Sequence, residues 1–145
     1  MRTLLLALAI SLFTPAFAND SPQALQDAFV NALLAQDANA VAACYTDDAI
    51  SYAIDTMVLV GPGAVRKSWQ EFFSTYKVLA VELDNGGMLV KGKTAVSWGL
   101  FTITAEPVAG GEAIEMRGRY TDISKKIYGQ WLYIFDHASV PTTAE

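Results

Sequence analysis

The chain's only histidine, His137, directly follows Asp136 in a stretch rich in groups able to do chemistry, GRYTDISKKIYGQWLYIFDHASVP (residues 118–141), which also holds Arg119, Tyr120 and Asp122. An imidazole titrates near neutral pH, so His137 beside a carboxylate would suit acid–base work or ligand donation. The same residue also fits a structural role, hydrogen-bonded at a strand end, and the sequence leaves both readings open. Apolar and polar residues alternate on both sides of Tyr128-Gly129, the pattern of a β-hairpin with a two-residue turn. That turn pairs residues whose numbers sum to 257 and sets His137 opposite Tyr120 and Phe135 opposite Asp122. One face then carries Trp131, Tyr133, Phe135 and His137 beside Tyr120 and Asp122. Here Asp122 can accept a diagonal hydrogen bond from the imidazole. The other face carries Asp136 with Arg119 and Thr121 to hold it. A bulge in either strand would exchange the two faces.

The remaining candidates are scattered. Tyr45, Tyr52 and Trp98 can fill a core or line an apolar ligand cavity with a few hydroxyl donors. Asp47 and Asp48 follow a helix, where capping or solvation accounts for them better than a catalytic pair. Cys44 sits in AVAACY and reads as a small core hydrophobe. A chain with one histidine and no spaced Cys or His motif is not expected to hold a metal. No phosphate loop, dinucleotide fingerprint, G-x-S-x-G elbow or H-E-x-x-H motif occurs, so no cofactor is expected.

These groups must be positioned by what the rest of the chain folds into. MRTLLLALAISLFTPAFA (residues 1–18) has a basic start, a short apolar run and an Ala-x-Ala end, which reads as a signal peptide cut after Ala18. Its apolar run is shorter than the roughly 20 residues of a spanning helix, so no membrane anchor is expected after cleavage. The expected location is periplasmic or secreted. Residues 19–145 suit one domain. With ten Lys plus Arg against fifteen Asp plus Glu, an acidic chain of this kind disfavours a nucleic-acid partner.

Ser21-Pro22 starts a helix whose stripe is Leu25, Ala28, Phe29, Ala32 and Leu33. A short second helix follows, with Asn39 available as its cap. Strands are expected near residues 50–53 and 56–60, and a third helix begins after Gly61-Pro62-Gly63, with Val65, Trp69 and Tyr76 on one side. From Val78 the period becomes two, broken at Asn85-Gly86-Gly87, Gly92-Lys93, 107–111 and Tyr128-Gly129. Helices followed by an antiparallel meander indicate an α+β domain with helices on one face of a curved sheet.

DAFVNALLAQDANAVAACYTDDAI (residues 27–50), followed by GPGAVRKSWQEFF (residues 61–73), and the terminal hairpin with its Gly-Gln-Trp turn and His-x-Ser ending resemble the NTF2-like superfamily. The likeness is to its SnoaL-like and DUF4440-type branches, related in fold to ketosteroid isomerase and to the association domain of calmodulin-dependent kinase. This resemblance implies a cone: three N-terminal helices packed on a strongly curved mixed, mainly antiparallel sheet, with a pocket at its open end and homodimerisation through the sheet. One such cone can house many activities, and the expectation for this pocket is a small, partly apolar organic ligand, with Tyr45, Tyr52, Trp98, Tyr120 and Arg119 as binding residues. Any isomerase, dehydratase or hydrolase chemistry would use His137 as acid or base, oriented by Asp122. Alternatively the protein binds without turnover, or serves as a homodimeric assembly module. In the steroid-isomerase branch a catalytic Asp follows the Tyr-x-x-Asp-Ala segment; its place here falls on Ala53, which supplies no base, and Asp55 lies two residues later.

Overall fold

The computed structural model describes residues 19–54 and 57–141. The expected signal peptide (residues 1–18) and Asp55 lie outside the described residues. Three helices and six strands follow in the order α1 (Pro22–Leu34), α2 (Ala38–Ala42), β1 (Tyr45–Tyr52), β2 (Val58–Val60), α3 (Gly61–Thr75), β3 (Tyr76–Lys91), β4 (Thr94–Pro107), β5 (Ile114–Ile127) and β6 (Gln130–Ser139).

Helix α1 begins as its sequence dictates: Ser21 Oγ accepts the Ala24 N–H at 3.1 Å, and Pro22 occupies the first turn, where a missing N–H costs nothing. The cap of α2 is Asp37 rather than Asn39. Its carboxylate accepts from both the Asn39 and Ala40 N–H groups at 3.0 Å, which a residue already inside the turn could not do. Gln36, at φ 55°, turns the chain between the two helices, and its Oε1 accepts the Val78 N–H at 3.2 Å, tying the helical layer to β3.

The strands form one sheet in the order β2-β1-β6-β5-β4-β3. All neighbours are antiparallel except β1 and β6, which run parallel. The sheet is thus mixed and mainly antiparallel, as expected, but it is not the strongly curved cone that the resemblance implied. It is open: β2 at one end of the strand order and β3 at the other do not pair, and the three-residue β2 offers little ladder with which to close it. The expected break at residues 85–87 is also absent. Strand β3 continues through it with a register shift, because Gly86 and Gly87 let the chain pass beneath Trp98. A Cβ on Gly87 would fall 2.5 Å from the Trp98 ring.

The helices lie on one face, α1 against β3 and β6, α3 against β1, β2 and β3. The buried core between them includes Leu25, Leu33, Val41, Ala49, Val65, Trp131 and Tyr133. Cys44 belongs to it, with its thiol directed at the Ala40 carbonyl at 3.5 Å, and burial pushes the thiol's pKa up to about 12. A chain of edge-to-face rings continues this core toward the opposite end: Phe29 meets Tyr45, Tyr133 and Trp69 at centroid distances of 6.3, 5.9 and 6.1 Å.

The start of α3 depends on Gly61, whose φ is +74° and where a Cβ would stand 2.7 Å from the Asp47 carbonyl oxygen. Gly61→Ala is expected to cost about 1–3 kcal/mol in chemical denaturation. Gly63→Ala, inside the same helix with nothing within 4 Å of the added methyl, should stabilise by up to about 1 kcal/mol. Equal effects at the two positions would show that the tight approach of α3 to β1 carries no energetic weight.

Candidate functional site

A cavity of about 350 Å³ lies between the helices and the inner face of the sheet. Its wall is apolar and aromatic, with Phe29, Trp69, Phe72, Leu83, Phe101 and Ile103 among its residues. On the sheet side its polar groups are set along β1, β5 and β6 and include Tyr45 and Ser51, Tyr120 and Asp122, Tyr133 and Asp136; Ser68 and Glu71 border it from α3.

A single irregularity decides which of these face inward. Near the turn the hairpin has the expected register, Ile127 opposite Gln130 and Ser124 opposite Tyr133. Between Ser124 and Ile123 the register shifts by one, with Ile134 as the extra residue. Beyond it Ile123 pairs with Phe135, Asp122 with Asp136 and Thr121 with His137. The bulge therefore turns Asp136 inward, directly opposite Asp122, and His137 outward. His137 is exposed, and its ring packs edge-on against Tyr52 at 6.1 Å.

Asp136 is not held by Arg119 and Thr121 as the unbulged hairpin required. Its Oδ2 accepts from the Tyr45 hydroxyl at 2.8 Å and from Ser51 Oγ at 2.9 Å. Both donors come from β1, whose parallel register places Ser51 beside Asp136. Asp122, only 7% exposed, is hydrogen-bonded to Asp136. Burial, then the charge of Asp136, then that hydrogen bond hold the Asp122 carboxyl well above the ordinary carboxylate range. Asp122 is accordingly the protonated partner at neutral pH, donating to Asp136. Burial likewise raises the hydroxyls of Tyr45, Tyr120 and Tyr133, so they remain donors. Tyr120 also accepts from Gln26 Nε2 on α1 at 3.4 Å.

Of the residues singled out by sequence, Tyr45, Tyr120 and Asp122 meet in this cavity. Tyr52 borders it, while its ring leans on Phe135 and His137. Trp98 and Arg119 lie on the sheet's outer face with His137, exposed to solvent. Ala53, at the place of the steroid-isomerase base, lines the cavity without a titratable group. Ser51 and the inward placement of Asp136 were missed; the alternation of β1 offered Ser51, but nothing local announces a bulge at Ile134. Among the described residues no group of three His, Cys, Asp or Glu is placed to hold a metal ion.

An α+β sheet covered on one side by helices, with an apolar cavity that carries tyrosines and a carboxyl pair, is an architecture consistent with small-molecule binding. The SnoaL-like domain model matches residues 27–132, and the chain belongs to that family. Among solved structures, it is similar to a ketosteroid isomerase-like protein from Erwinia carotovora atroseptica, with 19% identity, TM-score 0.73, and coverage of 90% of this chain and 99% of the other. An NTF2-like superfamily protein from Salmonella enterica serovar Typhimurium gives 16% identity and TM-score 0.72, covering 83% and 89%. A conserved protein from Planctomyces limnophilus gives 15% identity and TM-score 0.74, covering 82% and 92%. Among curated proteins no sequence matches the chain. At these identities the structural likeness shows the fold alone.

The proton on Asp122 has a thermodynamic signature. The folded protein keeps it, whereas the unfolded chain releases it near pH 4, so its stabilising effect is complete below that pH and is lost as pH rises toward the folded value. Asp122→Asn, which preserves a neutral donor, should therefore gain on wild type steadily from pH 4 to 8, by about 1 kcal/mol or more at the upper end. A pH-independent difference in urea unfolding between the two proteins would show that Asp122 does not hold a proton in the fold.

Proposed function

We propose that this SnoaL-like protein binds a small, partly apolar organic molecule in the cavity between its helices and sheet. The observation that carries this reading is an aromatic cavity that ends on a hydrogen-bonded carboxyl pair rather than on packed side chains. The groups available to orient a ligand are Asp122, Asp136, Tyr45 and Tyr120. Turnover, where it occurs, would be acid–base chemistry by the Asp122–Asp136 pair, since these are the carboxyls that line the cavity on the sheet side and His137 stands on the other face of the sheet. Residues 1–18 support export of the mature chain, and the site of action we propose is periplasmic or secreted.

Native mass spectrometry of the gently purified protein tests the binding reading and reads the mature mass in the same spectrum. A retained small molecule is expected in wild type and should be lost in Ala138→Phe, which fills the cavity from β6. Absence of any bound species, together with no ligand-induced thermal shift across a metabolite screen, would remove it.

A second reading, homodimerisation through the sheet, is favoured by the outer face. Trp98 is 42% exposed, Leu100 53% and Leu89 62%, and β3 and β4 place all three on that face. Sedimentation should find a dimer at micromolar concentration that Leu100→Arg converts to monomer without loss of helicity. A monomeric wild type would contradict it.

A further inference from the structure

We infer that the cavity's ligand carries a protonated amine, whose ammonium group sits against Asp136 while its apolar body lies among the aromatic rings. This rests on the reading of the cavity as a small-molecule site, and names the chemistry it selects.

The argument begins with charge. The acidic side chains that line the cavity are Glu71, Asp122 and Asp136; none of the described lining residues is Lys, Arg or His. Glu71 lies on the solvent side of α3, 4.0 Å from Lys67, and belongs to the mouth. Deep in the cavity the Asp122–Asp136 pair shares one proton and so carries one negative charge. No ion pair among the described residues reaches it: the salt bridges join Lys67 to Glu71, Lys77 to Glu106 and Arg117 to Glu115. The groups facing the pair are Tyr45 and Ser51 from β1, Tyr133 from β6, Tyr120 from β5 and Ser97 from β4, all hydroxyls. A buried charge surrounded by neutral groups is costly unless a counter-ion joins it.

Hydrogen-bonding capacity points the same way. Asp122, Tyr45 and Ser51 all direct their protons to Asp136. These donors are committed within the protein, and the pair meets the cavity with acceptor oxygens. A carbonyl or carboxylate seated on the pair itself would have to break one of these bonds, and an anion would in addition meet like charge. An ammonium offers what the site lacks, namely positive charge and N–H donors. The wall fits the rest of such a ligand, because Phe29, Trp69, Phe72 and Phe101 supply the apolar area that an arylalkyl body buries.

Three probes with one skeleton test the inference: phenylbutylamine, phenylbutanol and phenylbutyrate, titrated by calorimetry into wild type, Asp136→Asn, Asp122→Asn and Ala138→Phe. The amine should bind wild type at least about ten-fold tighter than the alcohol, and the carboxylate should bind weakest. Asp136→Asn should reduce the amine's advantage to less than about two-fold while leaving the alcohol's affinity within about three-fold, and Asp122→Asn should keep the advantage. If Asp136→Asn fails to fold, the wild-type order and the Asp122→Asn result decide. An alcohol that binds wild type as tightly as the amine, with both lost in Ala138→Phe, would overturn the cation and leave the small-molecule site standing. Binding that Ala138→Phe does not diminish, or no binding of any probe, would overturn both.

Discussion

Two carboxyls facing each other across adjacent strands, inside an apolar cavity, cannot both be charged at an acceptable cost. That constraint organises this protein's inner face. Asp122 keeps a proton and gives it to Asp136, and Asp136 gathers two further hydroxyls from a strand far away in sequence. The parallel pairing of β1 with β6 brings Tyr45 and Ser51 to it, and so the one parallel ladder of the sheet sits where the polar cluster needs outside donors. The helices matter to the same interaction through exclusion. By covering the inner face with Phe29, Trp69 and Phe72, they help to bury a pair in which burial is the largest cause of Asp122's protonation.

The two faces of the sheet divide the chemistry between them. The inner face carries the tyrosines and the acid pair inside a wall of rings. The outer face carries His137, Arg119 and Trp98 among exposed aliphatic residues. Residues adjacent in sequence therefore belong to different environments, as with Asp136 and His137.

Much of this architecture was legible from local chemistry. Ser21-Pro22 announces α1, Gly61-Pro62-Gly63 announces α3, and Tyr128-Gly129 places the last turn, because each depends on residues within a few positions of one another. The features that escaped depend on distant partners. Gly86-Gly87 reads as a turn until Trp98, on the next strand, needs the room. Asp37 outdoes Asn39 as a cap only once the helix start is known to one residue. The curvature implied by family resemblance is a property of the whole sheet, and no single motif encodes it. Tyr45, Tyr120 and Asp122 were named from the sequence as pocket candidates, and all three line the cavity. Asp136 was given to the wrong face because a bulge leaves no mark on the alternation before it.

The extra residue at Ile134 has a consequence for anyone placing this hairpin beside another. Strand positions carry a parity, inward or outward, and a bulge reverses it for every residue that follows. Against a relative whose last strand lacks the inserted residue, an ungapped comparison anchored at the Tyr128-Gly129 turn would set His137 over a side chain that points into the cavity, and Asp136 over one that points away. Agreement of residue type in such a column would mean disagreement of face. The cross-strand partner, Asp122 for Asp136 and Thr121 for His137, rather than a count from the turn, is what tells the two apart.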